Sequence, residues 1–129
     1  MRILVTGSTG FVDHSAAGLL ATGHDVRILA RSPTRVAGTL AALGAAPAAV
    51  EIVEGDVLDR TAIDRALMSV DAVLHAASIY SLDSRRAAEM QQVNVEGMRQ
   101  LVALAADKGL DPIVHVSSVV PGCPGAAVA

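Results

Sequence analysis

Short aliphatic runs alternate along the chain with longer stretches in which apolar residues recur at helical spacing. The runs predict five strands, at residues 2–5, 25–30, 50–56, 71–78 and 112–118. Most of these runs carry few polar residues, which is typical of parallel strands that are buried on both faces of a sheet.

The stretches between the runs predict helices. The first covers residues 10–21, the second opens at Pro33 and covers residues 33–44, a third has Asp59 at its start, and a long fourth covers residues 84–107. Proline is favoured at the first position of a helix, and aspartate just before it. Strands separated by helices predict an α/β fold with a parallel sheet and helices on both faces.

Composition and charge limit the function classes. The chain has 129 residues, of which 52% are hydrophobic and 18% charged, so it is long enough for one globular domain. A net charge of −3 without a basic run excludes nucleic acid as the main partner. No segment reaches the roughly 20 apolar residues of a membrane span, so no membrane partner is expected.

Cellular compartment and metal binding are inferred from a few residues. The single cysteine, Cys123, cannot form an internal disulfide and fits a reducing compartment. The chain starts without an apolar signal stretch, so the cytoplasm is the default expectation. His14 and His24 are too scattered to imply a metal site, and His75 and His115 lie in apolar strands and are interpreted as core histidines.

The segment Val-Thr-Gly-Ser-Thr-Gly-Phe-Val-Asp, residues 5–13, carries the main functional signal. Gly7 and Gly10 lie between the first predicted strand and the first predicted helix, where glycines let a backbone loop approach a phosphate. An ordinary turn between a strand and a helix is the alternative. The position at the first strand of an alternating α/β chain favours a dinucleotide loop.

Several motifs resemble the extended short-chain dehydrogenase/reductase family, of the NAD-dependent epimerase/dehydratase type. The loop resembles the family's Thr-Gly-x-x-Gly-x-x-Gly, the residues Gly-Asp-Val-Leu-Asp resemble the motif after the third strand, and Leu-His-Ala-Ala-Ser resembles the segment after the fourth. Val-Asn-Val-Glu-Gly resembles the family's long-helix motif, and Ile-Val-His-Val-Ser-Ser its fifth strand. The resemblance covers essentially the whole chain.

The resemblance implies a Rossmann-like, doubly wound parallel sheet of about five strands in the order 3-2-1-4-5, C-terminally truncated. The dinucleotide-binding domain would cover residues 1–120, followed by an irregular tail of proline, glycine and alanine at 121–129. The resemblance also implies a cofactor site, with Asp56 contacting the adenine amino group. Its residues would be Thr6, Gly7, Thr9, Gly10, Phe11, Val12, Arg31, Asp56, Val57, Ala76, Ala77 and Asn94.

Two of these residues have alternative interpretations. Asp56 could cap the following helix, although Asp59 is better placed for that role. Asn94 is a poor helix former in the middle of a predicted helix, so a buried structural hydrogen bond and a cofactor contact are both open for it.

Arg31 bears on the choice between the two nicotinamide cofactors. An acidic residue after the second strand hydrogen-bonds the ribose of NAD, whereas an arginine suits the 2′-phosphate of NADP. Arg31 follows the second predicted strand, and Arg35 lies one turn further on. NADP is therefore preferred and NAD is possible, although a surface arginine without a cofactor role would look the same.

Asp13 departs from the family pattern, which has a third glycine at this position. A like charge about 4 Å from a phosphate costs roughly 1 kcal/mol in water and about 4 kcal/mol near a protein surface. An acid in the first turn of a helix also gains up to about 1 kcal/mol from the helix dipole. These magnitudes favour a weakened dinucleotide site over a neutral change.

The catalytic part of the family pattern is incomplete. Ser118 matches the family's catalytic serine, but catalysis also needs Tyr-x-x-x-Lys, and the only tyrosine and lysine are Tyr80 and Lys108. We expect a dinucleotide-binding domain without catalysis of its own. A non-enzymatic nucleotide-sensing or interaction domain and a truncated product with no selected role are the alternatives. An uncovered fifth strand, together with an apolar stripe of Val95, Met98 and Val102 on the long helix, predicts self-association.

Overall fold

A computed structural model of the chain describes residues 1–7, 11–44, 49–76 and 84–115. Within this part the chain forms one parallel five-stranded sheet in the order β3-β2-β1-β4-β5. The strands are β1 (Arg2–Thr6), β2 (Asp25–Ala30), β3 (Val50–Glu54), β4 (Ala72–His75) and β5 (Ile113–His115). The predicted Rossmann-like strand order is confirmed.

Helices connect the strands, as the alternation predicts. They are α1 (Phe11–Ala21), α2 (Pro33–Ala42), α3 (Arg60–Leu67), α4 (Ala87–Gln91) and α5 (Met98–Asp107). Pro33 is the first residue of α2, and Asp59 is the N-cap of α3, where its carboxylate accepts from two backbone N–H groups. None of the helices in the described ranges is long and apolar enough to cross a bilayer.

The predicted long helix is not one regular α-helix. It begins with a short 3-10 turn at Ser84–Arg86 and continues as α4, and a π-helical segment, Gln92–Gly97, separates α4 from α5. The π-helical segment includes Asn94, Val95 and Gly97, all of which have low helix propensity. Weak local preference for the α-helix explains why the regular helix is interrupted there.

Two hydrophobic clusters cover the two faces of the sheet. Alternate residues of β1 divide between them: Leu4 belongs to the cluster that α3 and α5 cover, whereas Ile3 and Val5 belong to the cluster that α1 and α2 cover. The aliphatic runs therefore fill both faces, as their composition predicts. The register places the carboxyl ends of β1, β2 and β4 side by side.

Arg27 is buried among these apolar residues, on β2. Its Nε donates to Glu51 at 2.9 Å, and its Nη1 donates to the backbone oxygen of Ala66 at 2.8 Å and to that of Met68. Both carbonyls belong to the last turn of α3 and the residue that ends it. The guanidinium thus satisfies backbone acceptors that the end of a helix leaves open.

Candidate functional site: the carboxyl ends of the strands

Several residues predicted to bind the cofactor meet at the carboxyl edge of the sheet. Thr6 ends β1, Arg31 follows β2, Asp56 follows β3 by two residues and Ala76 follows β4. Ligands of doubly wound folds bind outside this edge, where neighbouring crossovers diverge to opposite faces. Here that point lies between β1 and β4, which are adjacent in the sheet.

Thr6 is held at this edge by two contacts with β4. Its side chain is fully buried, and its Oγ1 shares a hydrogen bond of 2.5 Å with Nδ1 of His75. Its backbone oxygen accepts from the N–H of Ala76 at 2.8 Å. The next residue, Gly7, has a φ of 151°, a conformation that residues with a side chain rarely adopt. The chain therefore leaves β1 in a direction that requires glycine.

The helix predicted to receive the phosphates begins at Phe11, and Val12 and Asp13 follow in its first turn. The N-terminus of a helix presents free backbone N–H groups to an anion. The start of α1 therefore lies where the loop pattern requires it. Thr9, Gly10, Ala77 and Ser118, which are also among the predicted site residues, lie outside the described residues.

The sequence left open whether Asp56 or Asp59 caps α3, and the structure gives the two residues different roles. Oδ1 of Asp59 accepts from the N–H groups of Thr61 and Ala62 at 3.0 and 3.3 Å, so Asp59 caps α3. Oδ1 of Asp56 accepts from the N–H of Leu58 at 3.2 Å, which forms a local turn. This turn engages Oδ1 of Asp56, and within the described part of the chain Oδ2 has no hydrogen-bond partner and is available to a ligand.

Val57, the middle residue of this turn, is buried and lies against Gly97 of the π-helical segment. A Cβ atom on Gly97 would lie 2.9 Å from Cγ2 of Val57, and a Cβ atom on Gly55 would clash with Cβ of Ala62. Both positions therefore need glycine for close approach. Asn94 is half-buried in the same π-helical segment, a type of irregularity that is frequent at functional sites.

Arg31 is exposed after β2, within electrostatic reach of α4. The pKa of Glu89 on α4 is lowered first by its hydrogen bonds and charge interaction with Arg86, and further by the charge of Arg31. Nε and Nη2 of Arg86 donate to the two oxygens of Glu89 at 3.0 and 3.2 Å. The surroundings of Arg31 thus include a second arginine and a carboxylate, which sequence reasoning missed because they lie far along the chain.

His75 and His115 are neighbours in the register of β4 and β5, and their rings stack with centroids 5.2 Å apart. His75 is fully buried, and burial, together with the charge of His115, lowers its pKa to about 4. His115 is exposed, so its interpretation as a core histidine is wrong. It lies on the edge strand, where one flank has no neighbouring strand among the described residues.

No group of three or more histidine, cysteine or acidic side chains that could hold a metal ion occurs among residues 1–7, 11–44, 49–76 and 84–115. The polar side chains of the site are those of Thr6, Arg31, Asp56, His75 and Asn94. They offer hydrogen-bond donors and acceptors and one fixed positive charge, which is a set suited to a phosphorylated organic ligand.

Comparison with known families agrees with this geometry. The model of the NAD-dependent epimerase/dehydratase family matches residues 3–125 of the chain. The chain belongs to this family. The match includes every predicted site residue, and it confirms the resemblance drawn from the motifs.

Two curated bacterial proteins are similar to this chain. The (4-alkanoyl-5-oxo-2,5-dihydrofuran-3-yl)methyl phosphate reductase of Streptomyces griseus is 52% identical over 71 residues, which are 55% of this chain and 23% of the relative. Sterol demethylase protein B of Methylococcus capsulatus is 38% identical over 119 residues, which are 92% of this chain and 34% of the relative.

A solved structure also matches the fold closely. It is a short-chain dehydrogenase/reductase superfamily protein from Agrobacterium tumefaciens with bound NAD, 34% identical, with a TM-score of 0.76. The match covers 92% of this chain and 33% of that protein. The chain thus spans about a quarter to a third of the length of these three proteins.

Proposed function

We propose that this chain is the cofactor-binding part of an NAD(P)-dependent short-chain dehydrogenase/reductase, that it prefers NADP, and that it does not catalyse turnover by itself. One observation supports the binding role most directly: Thr6, Asp56 and Ala76 lie at the carboxyl ends of β1, β3 and β4, on the edge of the sheet from which the chain leads into α1. The solved relative with bound NAD supports a dinucleotide as the ligand.

Each of these residues has a task that follows from its position. The first N–H groups of α1 would face the pyrophosphate, because a helix N-terminus favours anions. The open oxygen of Asp56 would accept from the adenine amino group. A bound nicotinamide would supply hydride transfer, and the start of α1 and Asp56 would hold the other parts of the dinucleotide.

The NADP preference rests on Arg31. The guanidinium is exposed directly after β2. An added phosphate could accept charge-assisted hydrogen bonds from it, which are strong. The residues that directly follow β2, Arg31 and Ser32, include no carboxylate that would repel this phosphate.

The lack of turnover rests on the missing tyrosine and lysine partners. Lys108, the single lysine of the sequence, lies at the end of α5 and pairs with Asp64 on α3 at 3.1 Å. It is therefore occupied away from the carboxyl edge. The sequence has one tyrosine, Tyr80, and no Tyr-x-x-x-Lys, so these residues do not supply the tyrosine and lysine that the family uses with Ser118 for proton transfer.

A charge reversal at Arg31 tests the cofactor choice. Arg31→Asp should weaken NADP binding far more than NAD binding, because a repulsive carboxylate replaces the phosphate partner. Arg99→Asp is the matched control, since Arg99 is an exposed arginine on α5 that pairs with Glu96. Equal losses for both cofactors in Arg31→Asp would contradict the assignment.

Self-association is a second proposal for the same chain. β5 is the edge strand, and the side chain of Val114 on it is 46% exposed. Val95 is also exposed on the π-helical segment, whereas Met98 and Val102 of the predicted apolar stripe are half-buried. An apolar edge strand is a ready partner for another strand. If the chain is instead a nucleotide-sensing domain, dinucleotide binding would change its oligomeric state through this surface.

A further inference from the structure

We propose that Gly97 is a positioning residue for adenine recognition: it leaves the space against which Val57 packs, and Val57 fixes the turn that carries Asp56. The proposal rests on the proposed function, since it assumes that Asp56 accepts from an adenine amino group. It extends that function to the π-helical segment Gln92–Gly97, which lies far along the chain from Asp56.

Asp56 belongs to a tight turn between β3 and α3. Its backbone oxygen accepts from the N–H of Asp59 at 3.0 Å, and its Oδ1 accepts from the N–H of Leu58 at 3.2 Å. Both hydrogen bonds lie within residues 56–59, so the direction of the carboxylate follows the direction of this backbone. The way in which the turn is attached to the rest of the fold therefore sets where Asp56 offers its free oxygen.

Val57 attaches this turn to the hydrophobic core. It is 8% exposed and belongs to the cluster that α3 and α5 cover, whereas its neighbours Asp56 and Leu58 are only partly buried. Valine is branched at Cβ and its χ1 angle is stiff, so its side chain has little freedom to turn away from a new obstacle. A displacement of Val57 would therefore be passed to its backbone and to the carboxylate of the residue before it.

Gly97 packs directly against Val57. A Cβ atom on Gly97 would lie 2.9 Å from Cγ2, 3.3 Å from Cβ and 3.7 Å from the backbone oxygen of Val57. The first of these distances is too short for two carbon atoms, so any larger residue at position 97 would push the two backbones apart. The contact includes the main chain of Val57, which brings the π-helical segment against the turn itself.

A second close contact fixes the residue before Asp56. Gly55 donates its N–H to the backbone oxygen of Ala30 at 3.0 Å, and a Cβ atom on Gly55 would clash with Cβ of Ala62 on α3. Asp56 thus lies between two residues that are both held by close contacts. Because Gly55 cannot follow a shift of Val57, such a shift would rotate the Asp56 carboxylate, and binding sites lose affinity when their polar groups are misdirected.

Gly38 on α2 shows what a helical glycine without this role looks like. It is exposed, and a Cβ atom on it would have no atom within 4 Å. Glycine weakens a helix at both positions. Only at Gly97 does the missing side chain allow another segment to pack, so Gly38 provides a matched control for the glycine-to-alanine substitution.

The test compares NADH with its analogue that carries hypoxanthine, in which a carbonyl oxygen replaces the adenine amino group. We expect wild type to bind NADH about tenfold more tightly, because the analogue loses a hydrogen bond to a carboxylate. In Gly97→Ala the ratio of the two affinities should fall below about threefold, because the rotated carboxylate no longer accepts from the amino group. Gly38→Ala should leave the ratio unchanged. A wild-type ratio in Gly97→Ala would overturn the proposal.

A double variant and a destabilised control separate positioning from a general loss of structure. Val57→Ala alone loosens the turn and should also lower the ratio, whereas in Gly97→Ala/Val57→Ala the new methyl group occupies space that Cγ2 left, and most of the ratio should return. Val70→Ala removes the same volume from the same cluster just before β4, and should destabilise the fold without changing the ratio. An unchanged ratio in Val57→Ala, no recovery in the double variant, or a lowered ratio in Val70→Ala would contradict a positioning role.

Hydrogen exchange of the unliganded chain tests the inference independently of the proposed function. The Asp59 N–H closes the turn at Asp56, and the Gly44 N–H closes a turn at the end of α2, where it donates to Ala41. Gly97→Ala should accelerate exchange at Asp59 relative to Gly44. If wild type binds neither dinucleotide, the proposed function fails, and an unchanged exchange ratio would then reject the positioning role as well.

Discussion

Arg27 on β2 and His75 on β4 are buried polar residues on one face of the sheet, and they differ in how fully they are paired. The guanidinium of Arg27 has a carboxylate and two carbonyl oxygens as partners. Among the described residues, Nδ1 of His75 has a hydrogen-bond partner and the buried Nε2 has none, whereas Arg27 has no unpaired buried nitrogen. A group whose buried donors are paired mainly stabilises the fold, whereas an incompletely paired one next to a predicted binding loop points to a functional constraint.

Removing Arg27 should have the largest effect on stability. Arg27→Ala leaves the carbonyls of Ala66 and Met68 unpaired and opens a cavity, so we expect a loss of about 3–5 kcal/mol in the free energy of unfolding. Urea unfolding measures this. Glu51→Gln is the control: it changes only the exposed partner and should cost less than about 1 kcal/mol. A loss below about 1 kcal/mol in Arg27→Ala would contradict the claim that Arg27 mainly stabilises the fold.

Acidification should affect stability through His75. Its pKa is about 4 in the folded chain and about 6.5 when unfolded, so between these values the unfolded state binds more protons. This contribution is fully present above about pH 6.5 and is lost as the pH falls toward 4, by up to about 3 kcal/mol. In His75→Leu this part of the pH dependence should vanish. A stability curve with the same acid limb in both proteins would assign the effect to other groups.

Replacing Asp13 should increase the affinity of the chain for NADP. Asp13→Gly removes a negative charge from the first turn of α1, and we expect NADP binding to tighten by about tenfold or more. Isothermal titration of both proteins measures the change. If the variant binds no better, the Asp13 carboxylate does not oppose the phosphates.

A charge on the edge strand β5 should change the stability of the fold least among these variants, and it should reduce self-association. Val114→Lys places a cation on an exposed position of β5, and charged residues on edge strands oppose pairing between chains. We expect light scattering to report a smaller mean mass for the variant than for wild type. A monomeric wild type would refute the association proposal.

The strands, the extents of α1 and α2 and the start of α3 could be predicted from the sequence because their patterns are local, whereas the strand order followed from the resemblance to the family. Aliphatic runs set the strands, and Pro33 and Asp59 mark two helix starts through backbone constraints that act within one turn. The positions of Thr6, Arg31 and Asp56 follow from the ends of those strands.

The contacts between distant segments could not be predicted in this way. The pairing of Thr6 with His75, and the effect of the charge of Arg31 on the pKa of Glu89, depend on register and helix placement rather than on local preference. The close contact of Gly97 with Val57 had only a weak signal, a glycine inside a predicted helix. The exposure of His115 depends on its place at the sheet edge.

Direct titration of the purified chain with NADPH and NADH tests the proposed binding role most directly. The sequence contains no tryptophan, so the fluorescence of the reduced nicotinamide is read with little protein background. We expect saturable binding of both, with the lower Kd for NADPH, and no consumption of either when carbonyl substrates are added. Absence of binding to both dinucleotides at millimolar concentration would contradict the proposed function.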